Sequence, residues 1–378
     1  MISKPGFLKN SSSLRSNLQN TVPVKQEYGL ENLNNTNPYV SHKNLFCNDK
    51  QNALRMKLSC EDNDKTNTQR FSNWIYSIGS RTRAGFNGIS MKTNQDSFIY
   101  NKMLMGDPEK SFLAVFDGHG SNGHKVSQYL KLHCIEFLIK RFTDSLLRED
   151  PKTKNINEIE LSDLQISTLL KNVFVETNRE LNNKLPRMTE LSGSTATSVL
   201  IYNKKLFCAN LGDSETAVLV QTSTGHEIIK LCVCHLPTVE EEKKRILEAG
   251  GRIEPIKLPN GEDIGPPRIW LKNTRMPGLM MSRTFGDRVG HMCGITDIPE
   301  VMIETLTSNH LCLVLGSDGL FDGVDTVTLK DILLQNLKAK DSSTAAEQLL
   351  EKATTGWKEK DLSNYRDDIT VLVSYLQN

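Results

Sequence analysis

Beyond about residue 70 the chain alternates unbroken apolar runs with stretches of helical periodicity. SFLAVF (Ser111–Phe116) has the length and continuity of a buried strand. In KVSQYLKLHCIEFLIKRF, which follows, Val126, Leu130, Cys134, Phe137 and Leu138 recur at helical spacing and predict an amphipathic helix. A polar stretch around residues 150–159 separates it from ISTLLKNVFVETNRELNNKL, whose Leu170, Val173, Phe174, Thr177 and Leu181 share one helical face. STATSVLIY, LFCANL and ETAVLVQT come next, joined by NKK and GDS, and their close spacing predicts successive antiparallel hairpins. PTVEEEKKRILEAGG predicts a third helix, with Thr238 and Glu241 in a capping box and Gly250 at its C-terminus. CLVLGSDG predicts another strand, TLKDILLQNLKAK and TAAEQLLEKATTGW a helix pair, and DITVLVSYL the last strand. Paired helices with antiparallel strands between them point to a layered α+β sandwich, not a doubly wound parallel sheet.

Residues 1–70 break this pattern. They hold twelve Asn, few aromatics and no sustained period, the signature of a mostly disordered tail. SSSLRS (Ser11–Ser16) lies there; it has the residues of a phosphorylation site, but such residues are ordinary in a tail. The 378-residue chain is 38% hydrophobic and 24% charged, a globular profile. Its net charge of +1 argues against a broad basic nucleic-acid surface. No apolar stretch approaches the roughly 18 residues of a membrane helix. The first twenty residues lack a secretory apolar segment, and Ile2 stands where N-myristoylation needs Gly. A cytoplasmic or nuclear location is expected. Cys134, Cys208, Cys232 and Cys312 sit in apolar runs and are expected to be buried free thiols. Cys232, Cys234 and His235 form a metal-like grouping, but strand alternation aims both thiols at one face, and the metal reading is the weaker one.

Five apolar segments end on Asp, usually beside Gly: AVFDGHG at Asp117, CANLGDS at Asp213, LVLGSDGLFD at Asp318 and Asp322, YRDDITVLV at Asp367 and Asp368, and MSRTFGD at Asp287. A single one is an ordinary turn. Five are harder to dismiss, because carboxylates delivered from separate strands can converge, and converging carboxylates repel unless cations neutralise them. All-oxygen ligands select Mg²⁺ or Mn²⁺ over zinc. Flanking glycines let a main-chain carbonyl approach as a further ligand. Two such ions about 4 Å apart are a standard device for in-line attack on phosphate and need no Ser or Cys nucleophile. A two-metal nuclease would use the same acids, but no basic or aromatic nucleic-acid track accompanies them.

NQDSF, FDGHG, SGSTAT, ANLGDSE, EEKKRILEAGGRI, MMSRTFGD, VLGSDGLFD and RDDITV occur in that order. Together they make the chain resemble the metal-dependent protein Ser/Thr phosphatases of type 2C, from about Gly79 to Val373, with a flavour of plant and protist members. The resemblance implies a phosphatase domain over 71–378 and a four-layer sandwich, two central antiparallel sheets flanked by pairs of helices. It implies hydrolysis of phosphoserine and phosphothreonine by a water or hydroxide held between two Mg²⁺ or Mn²⁺ ions. Asp117 would bridge both ions, Gly118 would offer its carbonyl to one, and Asp318 and Asp367 would complete the other site. Asp213, Asp318 and Asp322 would form a weaker third site. His119 matches a general acid for the leaving oxygen, with hydrogen bonding to site water as the alternative. Thr195 falls near the metals, with a plain turn as the alternative. Asp287 is expected to fix a loop and not to bind metal. Phosphoprotein substrates, no nucleic acid, no membrane span and a monomeric state are expected.

The chain departs from the family pattern in places. Gln95-Asp96, expected near the phosphate or just outside the metal ligands, stands where many members have Glu-Asp, so a metal contact of Gln95 would be weak or through water. The arginine that grips phosphate in the animal members is absent, and Lys92 is the nearest cation. Asp367-Asp368 replaces Asp-Asn, adding charge that could tune metal affinity. The Pro- and Gly-rich stretch around 252–280 predicts a loop running over the surface as a flap, with Arg268, Trp270 and Arg275 as candidates for contacting substrate protein. A non-catalytic relative would have lost core carboxylates, and here all are present.

Overall fold

The structure, a computed structural model, describes residues 72–150, 159–360 and 365–377. The tail at 1–70, with its Ser11–Ser16 stretch, and most of the polar connection at 150–159 lie outside the described residues. The fold is mixed α and β, and the ladders of its sheets are antiparallel. One sheet runs in the order β1 (Ile75–Arg83), β17 (Ile369–Leu376), β15 (His310–Gly316), β8 (Glu215–Thr222), β9 (Gly225–Lys230). The other runs β13 (Phe285–Gly286), β5 (Gly193–Ser194), β4 (Ser111–His119), β6 (Ala196–Tyr202), β7 (Lys205–Leu211), β14 (Glu300–Thr305), with β3 (Asp96–Asn101) also on β4. The short β2 (Phe86–Asn87) pairs with β16 (Tyr365–Arg366).

Strand alternation decides what each face of β4 meets. Leu113 and Val115 join Val199 and Ile201 of β6 and Val218, Leu313, Leu315 and Leu372 of the other sheet in one buried cluster. Phe112, Ala114 and Phe116 join Val126, Leu130, Leu138, Val173 and Phe174 of helices α1 (Gly123–Glu149) and α2 (Asp163–Lys184). Both faces of β4 are therefore dry, which is why it reads as an unbroken apolar run. Val314, Val371 and Val373 share a third cluster with Leu333, Ala346 and Leu349 of α6 (Thr326–Leu337) and α7 (Ser342–Lys360). No described helix is long and apolar enough to cross a membrane.

Several sequence expectations need correction. β6 and β7 do form a hairpin, over Asn203 and Lys204 at φ 47° and 58°. The second hairpin does not form: β7 pairs with β14, and β8 with β15 and β9 in the other sheet. The chain changes sheets at the Gly212 turn, φ 105°. Because β7 and β8 are apolar on both faces, their sequence carries no mark of which neighbour each takes. The third helix, α3 (Glu240–Glu248), starts after Val239 without a side-chain cap, so the Thr238/Glu241 capping box is absent. Three glutamates in the first turn meet the positive end of the helix dipole instead, and Gly250 follows at φ 80° as expected. Residues 252–280 are not a loop. They form a small antiparallel sheet of β10 (Arg252–Lys257), β11 (Asp263–Trp270) and β12 (Pro277–Leu279). Pro255 falls at the register shift between Glu254 and Ile256, where a missing N–H is tolerated. Cys232 and Cys234 lie outside any strand; Cys232 is buried and its sulfur accepts the Thr216 N–H.

Candidate active site

Acids collect where strands of both sheets end. β3 opens with Asp96, directly opposite Asp117 near the end of β4. Asp213 lies in the turn that changes sheets, Asp318 opens the short α5 (Asp318–Phe321) after β15, and Asp367 precedes β17. These side chains feel one another. Burial, then the charges of Asp96, Asp318, Asp367 and Asp213, hold the Asp117 carboxyl well above the usual range. Asp318 is likewise held high by burial, then by Asp213 and Asp367. Burial pushes Asp213 up to about 6. It pushes Asp96 up to about 7, although Thr370 and the Ser317 hydroxyl, 2.8 Å away, favour the charged form. Asp322, more open, is raised by burial too.

Asp96 Oδ1, Asp213 Oδ1 and Asp318 Oδ1 are buried and meet no donor in the protein. Leaving such a group unmatched costs roughly 1–3 kcal/mol, so clustered acids with spare oxygens suit hard cations. No three His, Cys, Asp or Glu side chains among the described residues form a ready-made cage. Mg²⁺ does not need one, since it keeps several waters and takes one or two carboxylates. A main-chain carbonyl beside Asp117 is also within the chain's means. A Cβ at Gly118 would lie 2.5 Å from the carbonyl oxygens of Gln95 and Gly123, so only glycine fits at this position near the end of β4.

The surrounding residues hold this end of β4 and its neighbours in place. Thr195 clasps the backbone of Asp117: its N–H donates to Asp117 O at 2.9 Å, its hydroxyl accepts the Asp117 N–H at 3.3 Å, and it bonds Ser214 Oγ at 2.6 Å. The Gln95 side-chain amide donates to Gly120 O at 2.7 Å, while the Gln95 main-chain carbonyl accepts the Ser127 hydroxyl at 2.5 Å. Asp368 is buried and takes the N–H groups of Gly85 and Gln95 at 2.5 and 2.8 Å, so the second acid of RDD brackets two loops. Lys92 Nζ lies 2.5 Å from Asp367 Oδ1 and 5.4 Å from the centre of the Tyr365 ring. Burial lowers that ammonium, but Asp367 outweighs it and the net shift is upward.

His119 closes β4, with Nε2 2.5 Å from Asp287 Oδ2. Burial pulls the imidazole down; Asp287, with help from Asp213, outweighs it and the net direction is up. Asp287, just before α4 (Arg288–His291), therefore has a partner that sequence reasoning missed. The missed signal was the pairing of two-residue strands, which sets Gly286 and His119 both opposite Gly193. The flap candidates bond within the flap: Arg268 Nη1 donates to Gly278 O at 2.7 Å and Trp270 Nε1 to Glu254 O at 2.8 Å. Arg275 is exposed.

In sequence and in fold the chain is similar to known proteins. The model of the family described as Protein phosphatase 2C matches residues 83–358. The chain is 29% identical over 313 residues to probable protein phosphatase 2C 35 of Arabidopsis thaliana, covering 79% of this chain and 83% of the relative. It is 31% identical over 286 residues to probable protein phosphatase 2C 72 of the same plant, covering 75% and 82%. The crystal structure of a serine-threonine phosphatase 2C from Toxoplasma gondii superposes with a TM-score of 0.69 at 21% identity, over 82% of this chain and 96% of that one, a likeness of fold. With half-buried acids at the ends of antiparallel strands, and a family match spanning most of the described residues, the chain belongs to the protein phosphatase 2C family.

Proposed function

We propose that the acidic strand ends are the active site of a metal-dependent protein Ser/Thr phosphatase, carried on a four-layer α/β/β/α scaffold. The observation that carries this is the set of half-buried carboxyls at Asp96, Asp117, Asp213 and Asp318, delivered by different elements, three of them with a buried oxygen that meets no donor. Asp117 and the Gly118 carbonyl would hold one Mg²⁺ or Mn²⁺ ion, and Asp117, Asp318 and Asp367 a second. Asp213, Asp318 and Asp322 would hold a weaker third. Bound there, the ions neutralise phosphate oxygens and make water a better nucleophile at neutral pH. Lys92, at the rim on Asp367, offers a point charge to a phosphate oxygen in place of a bidentate arginine. His119 gives a proton to the departing serine or threonine oxygen, a poor leaving group as an alkoxide. Thr195, Gln95 and Asp368 keep the backbone of the acids in place.

The test is phosphate release from a phosphothreonine peptide. The wild-type protein is expected to release phosphate with Mn²⁺ or Mg²⁺ and to stop when a chelator is added. Release that is indifferent to the chelator, or no release at saturating Mn²⁺, contradicts the proposal.

A further inference from the structure

His119 is anchored from one side only. Nε2 meets Asp287 Oδ2 at 2.5 Å, whereas Nδ1 is buried and meets no protein group. Asp287 is wholly buried, and the same Oδ2 receives the Thr284 hydroxyl at 2.8 Å. Its N–H donates to Ser192 O at 3.0 Å. A Cβ at Gly193 would sit 2.1 Å from Asp287 Oδ2, so the carboxylate reaches the imidazole only because residue 193 has no side chain. Asp287 adopts φ 41°, a left-handed conformation that Asp and Asn tolerate better than other non-glycine residues. Left-handed backbone, a glycine-dependent approach and a buried carboxylate all serve one hydrogen bond, and backbone held this way clusters at functional sites.

We propose that Asp287 is the positioning residue for His119: its carboxylate accepts a hydrogen bond from Nε2–H, locks the ring, and turns Nδ1 toward the ester oxygen of the substrate. This rests on the assignment of His119 as proton donor made above. As the bond from phosphorus to the serine or threonine oxygen breaks, the proton on Nδ1 passes to that oxygen. The imidazole keeps its Nε2 proton on Asp287 and recovers the other from water. A carboxylate that orients an imidazole in this way is a recurrent solution.

Two substrates test it, because threonine leaves poorly without a proton and 4-nitrophenolate leaves well without one. Asp287→Asn preserves shape and tolerance of the left-handed backbone, but it can set an N–H₂ donor against the Nε2 proton and release the ring. It is expected to lower kcat on a phosphothreonine peptide by about 10–100-fold, and kcat on 4-nitrophenyl phosphate by a clearly smaller factor. KM and the Mn²⁺ concentration for half-maximal activity should move little. His119→Ala should show the same split, and the double variant should be no worse than His119→Ala alone. Thr284→Val should give a milder version and Thr284→Ser should restore the wild-type pattern, which reads the same hydrogen bond should Asp287→Asn fold poorly. Equal losses on both substrates, or losses that add in the double variant, would overturn the proposal. So would an active wild type in which His119→Ala shows no split. A wild type inactive on both substrates would instead overturn the phosphatase assignment itself.

Discussion

Asp117, Asp213 and Asp318 could be picked out in the sequence because each ends an apolar run, where a bare turn would need only glycine. Asp96 ends no apolar run, yet its position opposite Asp117 puts it among the clustered acids. The His119–Asp287 bond was not legible, since it depends on the register of two-residue strands that carry no hydrophobic period. Asp117→Asn is expected to lower kcat on a phosphothreonine peptide by at least about 100-fold while leaving the far-ultraviolet circular dichroism unchanged. A second residue-scale prediction concerns stability. Glu242, buried, is gripped by Arg245 and Arg283 at 2.6 Å each. Burial raises its carboxyl, but the bonds from Arg245, Arg283 and Ser282 outweigh burial and hold it well below the ordinary 4.5. A carboxylate depressed in the folded state adds stability above its unfolded value and loses it as pH falls through the folded one. Glu242→Gln should therefore destabilise by about 3 kcal/mol at pH 7, and the gap between the two proteins should narrow progressively below about pH 4.5, measured by urea unfolding across pH.

At the scale of elements, helical periods were the most legible feature. The faces predicted for α1 and α2 are those buried against the second sheet. Caps were read less well. Ser162 and Gln165 form the reciprocal capping box of α2, whereas Thr238, which has the same local pattern, caps nothing because its helix begins one residue further on. Ser162→Ala should cost about 1 kcal/mol and Thr238→Ala close to nothing, compared by thermal melts. The flap was mistaken for a loop because proline and glycine dominate its composition; they mark a register shift and tight approaches within a small sheet. At Gly278, φ 79°, a Cβ would lie 2.7 Å from the Trp270 ring. Gly278→Ala is expected to speed proteolytic cleavage within 252–280 several-fold while moving the main melting transition little. Unchanged cleavage would show that Trp270 does not clamp the flap.

For the molecule as a whole, the sequence disclosed mixed α and β structure with antiparallel strands and paired helices. It could not disclose that β7 and β8 belong to different sheets. Strands that are dry on both faces carry no alternation from which a neighbour could be inferred, and only packing across the sheets decides. That packing also couples the two sheets, since Leu315 of one shares a cluster with Val115 and Ile201 of the other. Leu315→Ala should cost about 2–5 kcal/mol, with the described sheets still unfolding in a single transition. Because the acids hang on strands of both sheets, the site depends on that same coupling. The central claim, that these acids are a divalent-cation site, is tested most directly by calorimetric titration of Mn²⁺ into the metal-stripped protein and its Asp117→Asn variant. The wild type should bind more than one ion and Asp117→Asn should lose at least one of them; a wild type that binds none, or a variant that binds like the wild type, would contradict it.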